Sequence, residues 1–131
     1  MKVLQPAGWT APKGYANGVA AQGLQVYVAG QIGWNAQCAF DSDDLVAQVR
    51  QALLNVRAVL AEAGASPQHI TRMTWYLVDK REYLKRAREI GAVFRELIGV
   101  YTIAMTAVQV AALIEDRAQV EIEVTAVVPQ G

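Results

Sequence analysis

The sequence is short of the residues on which much of enzyme chemistry is built. It has one cysteine, Cys38, and one histidine, His69. A single thiol excludes an intrachain disulfide and fits a reducing compartment. The nearest charges to Cys38 are acidic, Asp41, Asp43 and Asp44, whereas a reactive thiolate needs basic or helix-dipole support. His69 follows Pro67 in a turn and has no partner at metal-ligand spacing. No metal site and no Ser-His-Asp set is therefore expected. Glycine-rich phosphate loops are absent, and no cofactor is implied. Net charge is absent too: 12 Lys and Arg balance 12 Asp and Glu. Nucleic-acid binders carry a basic excess or stripe, so no nucleic-acid partner is expected. The basic stretch KRAREIGAVFR at 85–95 is interrupted by Glu89 and flanked by Glu82 and Glu96, the pattern of a solvated helix face. No apolar run reaches the roughly 18 residues that a membrane span needs. The opening MKVLQPAGWTAPKG has no apolar core and two prolines, so it is not expected to be a signal peptide. A cytoplasmic location is expected.

Apolar residues are plentiful. They make up 53% of the 131 positions, while charged residues make up 18%; typical values are about 45–50% and about 25%. One domain over 1–131 is the expectation for this length. A small domain has little interior for such an excess, which favours an oligomer that covers part of the apolar surface.

The pattern along the chain predicts an α+β fold. Residues 1–14 read as an extended lead-in. Tyr15–Ala21 and Leu24–Gly30 read as a hairpin around Gln22-Gly23, followed by a loop over 31–42. Leu45, Val49, Leu53, Val56 and Leu60 predict a helix over 43–63, with Ser42 or Asp41 as cap and Gly64 as terminator. Ile70–Val78 reads as a strand. Asp79 and Glu82 then open a helix over 80–98, with Leu84, Ala87, Ile90 or Gly91, Phe94 and Leu97 as its stripe. Two strands, 104–113 and 119–128, complete a β-β-α-β-α-β-β order with both helices on one face of a mixed sheet.

The last strand carries the most informative residues. Val120, Ile122, Val124, Ala126 and Val128 form its apolar row. Glu121 and Glu123 stand on the opposite side, and a carboxylate buried in a sheet without a partner costs several kcal/mol. Three reasons remain open: a salt bridge, a neighbouring subunit, or a ligand site.

The run Tyr15–Gly18, AGQIG at 29–33, QALLNVRAVLAEAG at 51–64 and VEIEVTAV at 120–127 together resemble the RidA (YjgF, reactive intermediate deaminase) family over nearly the whole chain. The resemblance implies a chorismate-mutase-like subunit and a homotrimer whose sheets form a central barrel, with ligand clefts between subunits. It implies hydrolysis of enamines and imines to a keto compound and ammonia. Residue by residue, Glu123 matches the glutamate that positions water, and Tyr15 matches a cleft tyrosine. The arginine that grips the substrate carboxylate is Met105 here, its Pro-x-Arg segment being Ile103-Ala104-Met105. A serine has become Ala29 in Ala29-Gly30-Gln31, and an asparagine position falls on Ala87. The chain thus resembles the branches that lack this arginine.

Glu123 and Tyr15 are the expected catalytic residues. Met105 and Trp34 are expected as apolar walls, and Gly30, Gln31, Thr106 and Ala107 as polar backbone contacts to a small-molecule ligand. Other readings stay open: intersubunit ion pairing for Glu123, anchoring of the lead-in for Tyr15, core packing for Met105 and subunit packing for Trp34. Glu121 reads as structural. The function expected is an enamine/imine deaminase-like hydrolase. The alternative is a non-catalytic, ligand-binding or chaperone-like homotrimer.

Overall fold

Leu45, Val49, Leu53, Val56 and Leu60 recur at helical spacing, and the helix they specify buries all five. The computed structural model describes residues 1–130. Its strands are β1 (Lys2–Leu4), β2 (Gly18–Ala20), β3 (Leu24–Ile32), β4 (Ile70–Leu77), β5 (Ala104–Gln109) and β6 (Val120–Val128). Its helices are α1 (Leu45–Glu62), α2 (Lys80–Lys85) and α3 (Ala87–Leu97). The main sheet runs β3-β6-β4-β5. β6 lies antiparallel to both β3 and β4, and β5 lies parallel to β4. The even-numbered side chains of β6, Val120 to Ala126, are buried and face the helices. Trp75 of β4 closes that layer against Phe94 of α3 and Tyr83 of α2, with ring centroids 6.4 and 6.2 Å away.

The expected hairpin does not form. β2 pairs with β1, Lys2 opposite Ala20 and Leu4 opposite Gly18. Gly23 explains the difference. It sits at φ +149° against the main chain at the end of β6, where a Cβ would lie 2.2 Å from the Val128 carbonyl oxygen. That contact carries β3 onto β6 instead of back onto β2. Leu4 packs against Gly18 and gives the lead-in a strand of its own.

The helix expected over 80–98 is two helices meeting at Arg86 (φ −98°, ψ 13°). The Arg86 guanidinium bonds both oxygens of Glu89 (2.8 and 2.9 Å), Asp44 of the α1 cap (2.9 Å) and Glu82 (3.3 Å). These partners lie around the break and hold it. The hydrogen bonds from the Arg86 guanidinium hold the carboxyls of Glu89 and Asp44 below their usual range. After the break the inward stripe is Ile90, Val93, Phe94 and Leu97. Leu84 is 65% exposed, outside the stripe expected for it.

Two boundaries also move. Asp44 caps α1, accepting from the Ala47 N–H at 3.0 Å, and Ser42 only supports the Asp44 N–H. β5 stops at Gln109, not Leu113, because its partner β4 ends opposite it at Leu77. Gly64 (φ +68°) and Gly99 (φ +72°) end α1 and α3 in the left-handed region, as expected.

One polar side chain is fully buried on α1. Gln48 is 1% exposed. Its amide donates to the Ser42 and Arg117 carbonyls, both at 3.0 Å, and accepts from the Gln119 N–H at 2.8 Å. Gly33 packs on its stem, where a Cβ would lie 2.4 Å from Gln48 Cβ. Replacing Gln48 by leucine leaves three main-chain groups unpaired. Chemical denaturation of Gln48→Leu is expected to show a loss of about 2–4 kcal/mol; a loss below about 1 kcal/mol would mean that water replaces the amide.

Candidate functional site

Glu123 stands opposite an irregularity in the sheet. Val28 pairs with Val124 and Gln31 with Ile122, so Ala29 and Gly30 together face the one residue Glu123. Such a bulge bends the strand and re-aims side chains. Gly30 leaves room for the Glu121 side chain: a Cβ there would lie 2.4 Å from Glu121 Oε2 and displace it. The Gln31 amide donates to the Ala29 carbonyl at 2.9 Å and braces the bulge. On the other flank Glu123 neighbours Thr74 of β4. The Tyr76 hydroxyl donates to Glu123 Oε1 at 2.5 Å. This hydrogen bond pushes the Tyr76 phenol above its usual range, because losing the proton would break it. Among the described residues Glu123 makes no ion pair. It lines a cleft of about 440 Å³ with Tyr27, Ala29, Arg72, Thr74 and Thr125. It also borders a second cleft, of about 260 Å³, with Tyr76, Glu121 and Leu113.

Met105 lies on the other face. It pairs in register with Met73 and packs against the helix-side core. The Ala16 N–H donates to the Ile103 carbonyl at 2.8 Å, which ties the lead-in to the start of β5. Tyr15 is thereby brought to Met105. With Lys13, Gly14, Tyr83 and Ala107 they line a cleft of about 380 Å³. Met105, Gly14 and Tyr83 also line an adjoining apolar cavity of about 210 Å³, which Ala87 borders.

The expected site residues therefore fall into two groups on opposite sheet faces. Tyr15, Met105 and Ala107 meet at the edge strand β5. Glu123, Gly30 and Gln31 meet at the bulge. Thr106 is exposed on β5 and lines neither group. Trp34 also lies apart. Its ring packs at a tilt of 47° against Phe40, centroids 5.9 Å apart, Arg117 lies over that Phe40 ring at 5.4 Å, and Asn55 bonds the Trp34 carbonyl at 2.8 Å. Tyr76 and Arg72 were not singled out from the sequence. Their signal was present, since Arg72, Thr74 and Tyr76 alternate with the buried Met73, Trp75 and Leu77. Lys13 carried none. Among the described residues no three His, Cys, Asp or Glu side chains are grouped to hold a metal. No helix there is long and apolar enough to cross a membrane.

Residues 8–128 match the family described as Endoribonuclease L-PSP. A RutC family protein of Synechocystis is 33% identical over 132 residues, which cover 98% of each chain. A 2-iminobutanoate/2-iminopropanoate deaminase of Salmonella typhimurium is 32% identical over 113 residues, 86% of each chain. Among solved structures, YyfB of Yersinia pestis, of the conserved Rid protein family, superposes with a TM-score of 0.84 at 29% identity, covering 97% of this chain and 98% of that one. With its α+β architecture and this similarity along almost its full length, the chain belongs to the RidA/YjgF family, whose members also carry the names RutC and Rid.

Proposed function

We propose that this protein is an enamine/imine deaminase-type hydrolase that works as a homotrimer, with clefts between subunits. The observation that carries the reading is Glu123, a carboxylate with no ion pair among the described residues, opposite a bulge and oriented by Tyr76. The two groups of site residues lie on opposite faces of one sheet. A single ligand touches both only if one copy's β5 edge lies beside another copy's bulge. The outward sheet face is suited to such packing, since Tyr27 is 70% exposed there. The name of the Salmonella relative supports the reaction class.

The chemistry then follows. Glu123 takes a proton from water, and the water oxygen attacks the C=N carbon. Glu123 passes that proton to the nitrogen, giving the carbinolamine; it then takes the hydroxyl proton and hands it to the amine as the C–N bond breaks, so that ammonia leaves with a keto product. General acid–base help of this kind contributes about 10²–10⁴-fold. Tyr76, kept protonated, holds the carboxylate in one orientation. Tyr15 helps hold the ligand and Met105 forms an apolar wall. Methionine cannot grip a carboxylate as a guanidinium does, so 2-aminoacrylate is expected to be a poor substrate. The same substitution favours the second reading, a non-catalytic ligand-binding or chaperone-like trimer.

Ammonia release from freshly generated imines separates the two. Catalysis above the spontaneous rate, lowered at least about 100-fold in Glu123→Gln with an unchanged melting temperature, is the expected result. Saturable binding with no turnover would leave the second reading. Sedimentation equilibrium is expected to give three times the 14.2 kDa chain mass; a monomer would overturn the shared site.

A further inference from the structure

The cavity beside Met105 has an aromatic interior and a basic rim. Trp75, Tyr83, Phe94 and Tyr101 line it together with Met105 and Ile90, and Arg95 is the one charged residue among its lining residues. It joins the cleft of Tyr15 and Lys13 through Gly14, Tyr83 and Met105. Among the described residues no carboxylate lines either space. Among the described residues neither Arg95 nor Lys13 makes an ion pair, so both cations are without a partner beside an apolar chamber. The chamber, at about 210 Å³, exceeds the ~150 Å³ that suffices to hold a benzene ring.

Gly91 makes the chamber what it is. It lies in the middle of α3, where glycine costs roughly 1 kcal/mol relative to alanine. Its backbone is not in the left-handed region, and a Cβ built on it meets nothing within 4 Å. Neither conformation nor close approach requires a glycine there. What its missing side chain provides is space, shared with Ala87 one turn earlier on the same wall. A second observation points the same way. The Trp75 indole N–H is buried without an acceptor among the described residues, and Trp75 is part of the wall. A buried donor left unpaired is destabilising, and the face of an aryl ring accepts such a donor weakly.

We propose that this chamber takes the aryl side chain of a small carboxylate, with Lys13 and Arg95 at its mouth supplying the charge that attracts the acid group. Where the reading as an imine hydrolase holds, on which this extension to substrates rests, the substrate is an arylalkyl imino acid and not a three- or four-carbon one. The site itself is tested without turnover.

The probes are phenylpyruvate, pyruvate and benzyl alcohol, with binding read by calorimetry and thermal shift. Phenylpyruvate is expected to bind at least about 10-fold more tightly than pyruvate, because only the aryl acid buries a ring. Gly91→Leu fills the chamber and is expected to erase that preference without lowering the melting temperature of the free protein. Ala87→Leu serves as the second filling variant if the first folds poorly. The double variant Lys13→Gln, Arg95→Gln is expected to weaken phenylpyruvate about 10-fold and leave benzyl alcohol unchanged. Equal affinity for phenylpyruvate and pyruvate, or a preference that survives both filling variants, overturns the proposal. Tight phenylpyruvate binding without ammonia release from its imine overturns the hydrolase reading and leaves the chamber in place. Turnover of small imines with no aryl preference does the reverse.

Discussion

Three main-chain groups, the carbonyls of Ser42 and Arg117 and the N–H of Gln119, converge on one buried amide, that of Gln48. Inside a protein such groups must find partners, and among the described residues no other side chain supplies them. The amide therefore locks the start of α1 to the residue that precedes β6. The consequence reaches the site. Alternation along β6 sends Val120, Ile122 and Val124 to the helices and Glu121 and Glu123 outward. A slip of one residue would exchange the two sets. The amide at the strand's entrance and the bulge opposite Glu123 hold the register at two points, so the position of one carboxylate depends on a helix residue 75 positions before it in the chain.

The bulge and the edge strand divide the work of the sheet. One face carries an acid with a hydrogen-bonded phenol, a cation and two exposed main-chain positions. The other carries a cleft in which aromatic rings, a methionine and free cations meet. Each half alone is chemically incomplete for hydrolysis of a C=N bond: the first lacks an enclosing pocket for a carbon skeleton, the second lacks a base. The proposed reaction thus assigns specificity and proton transfer to different strands, β5 and β6, which are not neighbours in the sheet of one chain.

Much of this was legible where a signal is local and periodic. The helical spacing of Leu45 to Leu60 and the alternation of Val120 to Val128 identified their elements and the outward side of Glu123. The features that escaped depend on partners distant in sequence. Arg86 breaks its helix while bonded to Asp44, 42 positions away. β2 turns to β1 because Gly23 meets Val128 at the far end of the chain. Tyr76 reaches Glu123 across 47 positions. Gln48 was readable only as a polar residue within an apolar stripe, an irregularity that periodicity treats as noise. Tyr15 and Met105 were linked by family resemblance, and a single main-chain bond, Ala16 to Ile103, accounts for their meeting. Trp34 was singled out because an aromatic on a loop beside a cleft is a reasonable ligand wall; within one chain its ring lies beside Phe40.

β5 ends the sheet, and beyond the bridge from Ala16 to Ala104 its outer row of N–H and C=O groups has no strand beside it among the described residues. An uncovered edge invites any extended peptide to add itself. A newly synthesised copy carries that invitation from the moment it folds. In the proposed homotrimer its solubility is consequently a matter of timing, a race between finding the correct neighbour and collecting the wrong one, and dilution, which usually protects proteins from aggregation, slows the productive encounter as well.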